Sequence, residues 1–257
     1  MLTSQTWRRI YGHLSARLGC PAETLRAPGL RVMAHGPWLA GYQGVYVWRM
    51  ETDGAQASVT ASTPEALVDE AQAALAGVGQ EAALDSAFWL GALGPRVDLI
   101  VGPSYQGYLD GDVFHPAPPD SARALAVDER PALERLARAC PAEEWEHSDI
   151  QPDHDPIFVV SGEDGALQAA ASLTRDGAGL VSVGVITHPA ARGRGHGRAV
   201  VSAATTWALA RGETVHYQTL RANTPSVAIA RALGYQDVAS ALAIRLWGER
   251  AQWAARP

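Results

Sequence analysis

Apolar residues at Trp7, Ile10, Tyr11, Leu14 and Leu18 recur every three or four positions, so one stripe of an amphipathic helix opens the chain. Residues 45–50 and 57–62 are short strand-like runs, 64–76 predicts a helix announced by Thr63, and 97–101 predicts a buried strand. Gly107, Gly111, Pro116, Pro118 and Pro119 then interrupt regular structure between 102 and 120, which places a domain boundary near 122. The first half, 1–122, reads as a smaller α/β domain with no recognisable role, and 123–257 as a second domain.

The pattern sharpens after that boundary. Asp128 is positioned to cap a helix carrying Leu133, Leu136 and Cys140, and an apolar run follows at 157–160. Residues 166–173 and 180–187 predict two strands separated by the turn residues Asp176, Gly177 and Gly179. A helix over 197–211 stops at Gly212, a strand covers 215–220, a helix over 226–233 stops at Gly234, and 242–246 is a last strand. Both halves therefore predict a mixed α/β (α+β) fold.

Composition narrows the chemistry. The 257 residues are 47% hydrophobic, enough for one large or two modest cores. All 21 basic side chains are Arg, which excludes a lysine Schiff base, a pyridoxal anchor and the lysine of a P-loop. Against 27 acids the net charge is −6, and the scattered Arg residues form no basic stripe for nucleic acid. Abundant Ala with Arg and no Lys suits a GC-rich bacterial genome. Cys20 and Cys140 are isolated thiols that suit a reducing cytoplasm, and no apolar run reaches the ~18 residues of a membrane span. Arg8, Arg9 and Arg17 without an acid in 1–22 imitate a transit peptide, but the apolar stripe favours a folded helix.

One segment carries chemistry. Pro189 closes the strand ending at Thr187, and Arg192-Gly193-Arg194-Gly195-His196-Gly197 leads directly into a helix. A glycine turn there presents successive backbone N–H groups at the positive end of a helix dipole, which suits a diphosphate, with Arg194 and Arg198 as added cations. The dinucleotide fingerprint GxGxxG is not met, since Arg198 stands where its third glycine belongs and no acid follows about 20 residues on.

Residues 183–197, Val-Gly-Val-Ile-Thr-His-Pro-Ala-Ala-Arg-Gly-Arg-Gly-His-Gly, resemble the central R/Q-x-x-G-x-G/A motif of the GCN5-related N-acetyltransferases (GNAT). Asn223, the stretch from Ser226 to Ala230, and Leu233-Gly234-Tyr235 resemble the second motif of that family. The resemblance covers 123 to 257 and implies a mixed, splayed central sheet flanked by helices, with acetyl-CoA in the opening. It implies that the backbone of Val185, Ile186 and Thr187 pairs with the pantetheine. Arg192, Gly193, Arg194, Gly195, His196, Gly197 and Arg198 would hold the pyrophosphate, and Asn223 would face the thiol end. The implied reaction is direct transfer of an acetyl group to a primary amine, with no metal.

The sequence departs from the family at one position: a Tyr that protonates the departing thiolate stands seven residues after the motif Asn, and here that residue is Ala230. Tyr217 and Ser226 are the expected substitutes. On the acceptor side Glu143, Glu144, Glu146, Asp149, Asp153 and Asp155 form an acidic stretch with His147 and His154; Glu146 and His147 are the expected bases. As metal ligands these residues lack HExxH or EF-hand spacing. The alternative to an enzyme is a CoA-binding or interaction module that has lost its chemistry at Ala230.

Overall fold

The computed structural model describes residues 1–50, 57–118, 122–177 and 179–247. Its helices are α1 (Ser4–Leu18), α2 (Ala22–Arg26), α3 (Val68–Leu75), α4 (Ser86–Leu93), α5 (Arg130–Ala139), α6 (Ala142–His147), α7 (His196–Leu209) and α8 (Thr224–Leu233). Its strands are β1 (Gly29–Ala34), β2 (Gly44–Met50), β3 (Ser58–Thr63), β4 (Val97–Leu109), β5 (Arg123–Ala124), β6 (Ile157–Ser161), β7 (Leu167–Gly177), β8 (Leu180–Thr187), β9 (Thr214–Leu220) and β10 (Gln236–Leu246).

The chain forms two compact units built from interleaved segments, whereas composition suggests a single cut near 122. The first comprises 1–9, 107–218 and 225–236; the second comprises 10–106, 219–224 and 237–257. In the second unit β1 runs parallel to β3, and β2 pairs antiparallel with both β3 and β10. Val45, Val47, Val59, Ala61, Leu242 and Ile244 are buried on one face of this sheet with Leu75 of α3 and Trp89 of α4. Alternation along the strands generates that face.

In the first unit the sheet order is β9-β8-β7-β6-β5. β5 to β8 are antiparallel neighbours, and β8 and β9 run parallel. On one face Leu133 and Leu136 of α5 pack with Ile157, Val159, Ala170 and Ile186. On the other lies α7, whose Ala199, Val200, Val201, Ala204 and Ala208 are buried. Small side chains at these positions let the helix approach the strands closely.

Four local expectations are corrected. β4 continues through Gly102 and Pro103 to Leu109, so the interruption begins only at Gly111; a Cβ at Gly102 would meet the Ala241 carbonyl oxygen at 2.7 Å, so glycine there permits a close backbone approach. Pro119 and Asp120 of the predicted interruption lie outside the described residues. Thr63 ends β3 and caps nothing, and a short 3-10 turn at Glu65–Leu67 precedes α3. Asp128 gives way to Glu129, whose carboxylate accepts from the Ala126 amide at 3.0 Å. Asp176 and Gly177 belong to β7 itself.

Candidate functional site

β8 and β9 share only three register pairs among the described residues, Leu180 with Thr214, Val181 with Val215 and Ser182 with His216. β8 continues to Thr187 with β7 along one edge, Val185 opposite Ala171 and Thr187 opposite Ala169. The two parallel strands therefore part after Ser182, and backbone groups of 183–187 on the β9 side have no register partner in β9. Side chains on this stretch alternate: Ile186 enters the α5 core, and a Cβ at Gly197 would lie 3.0 Å from Thr187 Oγ1 on the α7 side.

The strand ends in a constructed turn. The His188 amide donates to the Gln168 carbonyl at 2.8 Å, and His188 Nδ1 accepts from the Ala190 amide at 3.2 Å, starting the short turn Pro189–Ala191. Gly193 and Gly195 then take φ of 76° and 83°, the left-handed region that costs a side chain ~1–2 kcal/mol. Gly195 is the N-cap of α7, so the amides of His196, Gly197 and Arg198 open the helix without intrahelical acceptors. Gly193, Gly195, Arg194 and Arg198 are exposed, whereas Gly197 is buried. A Cβ at Gly197 would also stand 3.0 Å from Ile229 Cδ1, so this glycine lets α7, α8 and the end of β8 converge. Arg192 leaves the loop to form an ion pair with Glu144 of α6.

Beside the opening, Tyr217 of β9 is buried and its hydroxyl lies 2.7 Å from Ser226 Oγ of α8. Burial, against the Ser226 hydrogen bond, pushes the phenol up to about 12, so it holds its proton at neutral pH. The Tyr217 and Tyr235 rings meet edge to face at 5.4 Å, and the Tyr235 hydroxyl is 2.8 Å from Thr205 Oγ1. Ala230, one turn beyond Ser226 on α8, is fully buried. Gly234 has φ of 96° and lies against the Val113 carbonyl, which explains the glycine of Leu233-Gly234-Tyr235.

Glu146 and His147 stand exposed on the last turn of α6, and Trp145 packs half-buried against the α5 core. His154 Nδ1 is 3.0 Å from Ser172 Oγ. Among the described residues no group of three His, Cys, Asp or Glu side chains is arranged to hold a metal ion. Asn223 falls in the 219–224 segment of the second unit, where its amide donates to the Leu220 carbonyl at 2.9 Å. No helix among the described residues is long and apolar enough to cross a membrane. Cys20 and Cys140 are buried free thiols, each pushed up chiefly by burial.

A family profile described as the acetyltransferase (GNAT) family matches residues 123–235. These residues are a GNAT acetyltransferase domain. The GNAT domain thus holds the parted strands, the glycine loop and the Tyr217–Ser226 pair. Among solved structures, a GNAT-family protein from Novosphingobium aromaticivorans is 25% identical, with 58% of this chain and 66% of that one covered and a TM-score of 0.46. This chain therefore spans just under two thirds of that protein. A GCN5-related N-acetyltransferase from Kribbella flavida is 19% identical over 96% of this chain and 97% of its own, with a TM-score of 0.49. A phosphinothricin acetyltransferase from Sinorhizobium meliloti, in complex with acetyl-CoA, is 22% identical over 53% and 91%, with a TM-score of 0.36. A comparison with curated proteins found no match.

Proposed function

We propose that the GNAT domain transfers an acetyl group from acetyl-CoA to a primary amine of a small acceptor, by direct attack on the thioester. The observation that carries this reading is the exposed left-handed loop at Gly193 and Gly195, opening α7 where β8 has parted from β9. Its fit to a diphosphate is physical: consecutive helix-start amides, no Cβ to keep phosphate oxygens away, and the exposed guanidinium groups of Arg194 and Arg198 beside them. Arg192, Gly193, His196 and Gly197 complete the cradle, the β8 backbone at Val185, Ile186 and Thr187 serves the pantetheine arm, and Asn223 serves the thiol end.

Bound acetyl-CoA supplies the acetyl group and a thiolate leaving group; the rest falls to the chain. The amine nitrogen bonds to the acetyl carbon as the C–S bond breaks, and the sulfur leaves with the electron pair. Ser226 gives that sulfur a proton and recovers one from Tyr217, which is protonated at neutral pH and hydrogen-bonded to it. The ammonium loses two protons, one before attack and one as the amide forms, and both leave through Glu146 and His147 to water; Tyr217 takes one proton back from solvent afterwards. Overall, ammonium and thioester become amide, thiol and one released proton. This assignment answers the absent tyrosine at Ala230: the phenol reaches the same face of α8 from β9 instead.

The alternative, a CoA-binding module without chemistry, rests on Ala230 alone. Calorimetric titration with acetyl-CoA, followed by measurement of amine-dependent release of free CoA, separates the two. Saturable binding with amine-dependent release is expected. Binding without turnover across a broad amine panel supports the module, and no binding at millimolar acetyl-CoA overturns both. Cytoplasmic residence is proposed with this reading, from the free thiols.

A further inference from the structure

β1 is the outer strand of the second unit's sheet, with β3 as its one neighbour among the described residues. The Gly29 amide donates to the Ala57 carbonyl at 3.1 Å and the His35 amide to the Thr63 carbonyl at 2.7 Å, which fixes the phase of this parallel ladder. Gly29, Arg31, Met33 and His35 therefore turn their backbone groups toward β3, and Leu30, Val32 and Ala34 turn theirs outward. Among the described residues no group hydrogen-bonds the outward amides and carbonyls of Leu30 and Val32.

A cleft of about 480 Å³ lies along this edge, with the backbone from Val32 to Ala34 as its floor. Val68 of α3 and Glu65 of the turn before it line the cleft. Val32 and Leu67 pack against the same core, so Val68 and Glu65 flank the edge on the face of Val32. Gly36 marks the far end, where Gly19 closes it: a Cβ at Gly19 would lie 2.7 Å from Gly36 Cα and 3.3 Å from the Ala34 carbonyl oxygen. Glu65 is exposed and makes no hydrogen bond or ion pair among the described residues.

An exposed strand edge is a template for another strand, and proteins ordinarily blunt one with lysine, proline or a bulge. β1 has none of these: its register with β3 runs without a shift from Gly29 to Ala34, and its single cation, Arg31, turns back to the Thr24, Ala27 and Pro28 carbonyls and to Ser58 Oγ. An added strand would lie ~4.8 Å away, bond to Leu30 and Val32, and set every second side chain on the face of Val68 and Glu65. The carboxylate there calls for a cation. A second copy of the chain would bring from its own β1 only Arg31, whose guanidinium is already engaged, so charge complementarity favours a different polypeptide.

We infer that the β1 edge docks an extended peptide segment of another protein, which adds as an outer strand and places a lysine or arginine at Glu65. Backbone pairing supplies the affinity, and Glu65 with Val68 supplies the preference: a cation and, two residues along, an aliphatic side chain. The inference stands apart from the acetyltransferase reading and gives the second unit a role in partner recognition.

The test pans a phage-displayed library of random heptapeptides on the full chain, then measures the enriched peptide, made with capped ends, by calorimetry. Enrichment of a lysine or arginine with an aliphatic residue two positions away is expected. Val32→Pro removes one outward donor and no bond to β3, so Tm is expected to stay within a few degrees of the parent while peptide Kd rises about tenfold. Glu65→Gln is expected to raise Kd about threefold, and to leave unchanged the Kd of the same peptide with glutamine in place of its cation. In the parent, saturation with the peptide is expected to slow hydrogen exchange at the Val32 and Ala34 amides, a readout that depends on no variant. Failure to enrich any peptide overturns the inference. So does a peptide whose Kd is unchanged by Val32→Pro, or one that leaves exchange at those two amides unaltered. Dimerisation of the parent in sedimentation that Val32→Pro abolishes assigns the edge to a second copy and overturns it as well.

Discussion

The hydroxyls of Tyr217 and Ser226 lie 2.7 Å apart, tying the strand that borders the opening to the helix that carries Ala230. The pair couples a buried phenol to a half-buried serine, so a proton can pass from one to the other without rearrangement.

Replacing Tyr217 with Phe is expected to lower kcat by roughly 10², the low end of what a positioned acid contributes, with acetyl-CoA Kd within twofold. Ser226→Ala is expected to cost about as much, and the double variant little more, because both belong to one relay. With the phenol pushed up to about 12, kcat is expected to show no alkaline loss from this group below about pH 10. Steady-state kinetics across pH checks all three.

Gly195→Ala is expected to destabilise the protein by ~1–2 kcal/mol through its φ of 83°, since nothing lies within 4 Å of the added methyl. The same strain tilts the amides that open α7, and acetyl-CoA affinity is expected to fall about tenfold. Gly195→Asn is expected to be milder, because Asn enters the left-handed region more readily. Urea denaturation and calorimetry measure the two effects separately.

Gly184→Ala is expected to cost more than ~2 kcal/mol, because the methyl meets the Ser148 carbonyl and neither β8 nor the 148–149 segment has a flexible side chain to yield. Denaturation midpoints of Gly184→Ala against Gly195→Ala test whether overlap outweighs conformational strain.

His35, half-buried in the second unit with Nδ1 2.7 Å from Ser62 Oγ, is held below the ordinary histidine range by burial, partly offset by nearby backbone carbonyls of Tyr42 and Gly44. The folded state therefore binds this proton less readily than the unfolded chain. Stability is expected to be level above the unfolded pKa of about 6.5 and to decline as pH falls below it. Denaturation midpoints between pH 8 and 5 should show this slope, and His35→Gln should flatten it.

Much of the fold was legible because local patterns and tertiary packing agree. Residues 180–187 predict a strand and form β8, and the helix expected to stop at Gly234 does so where φ turns positive, 96°, whereas α7 already ends at Leu209, ahead of Gly212. β1, α4 and α6 escaped notice: β1 mixes Gly29 and Arg31 into its apolar residues, and α6 is six residues of mostly exposed side chains. The Asp85 cap of α4, accepting from the Ala87 amide at 2.9 Å, was an available signal. The left-handed backbone of Asp149, with φ of 54°, carried none, since nothing in its neighbours marks it.

The order of residues alone determined the family motif, the glycine turn entering a helix, the exclusion of lysine chemistry and the absence of the tyrosine at 230. Each is a matter of residue type at short spacing, which the backbone obeys locally. Tertiary structure decided that β8 and β9 part after Ser182, that Tyr217 reaches Ser226 from the neighbouring strand, and that the 148–149 backbone lies across Gly184. These contacts join residues 9 to 36 positions apart, and which of many sterically allowed pairings forms depends on packing both faces of the sheet at once.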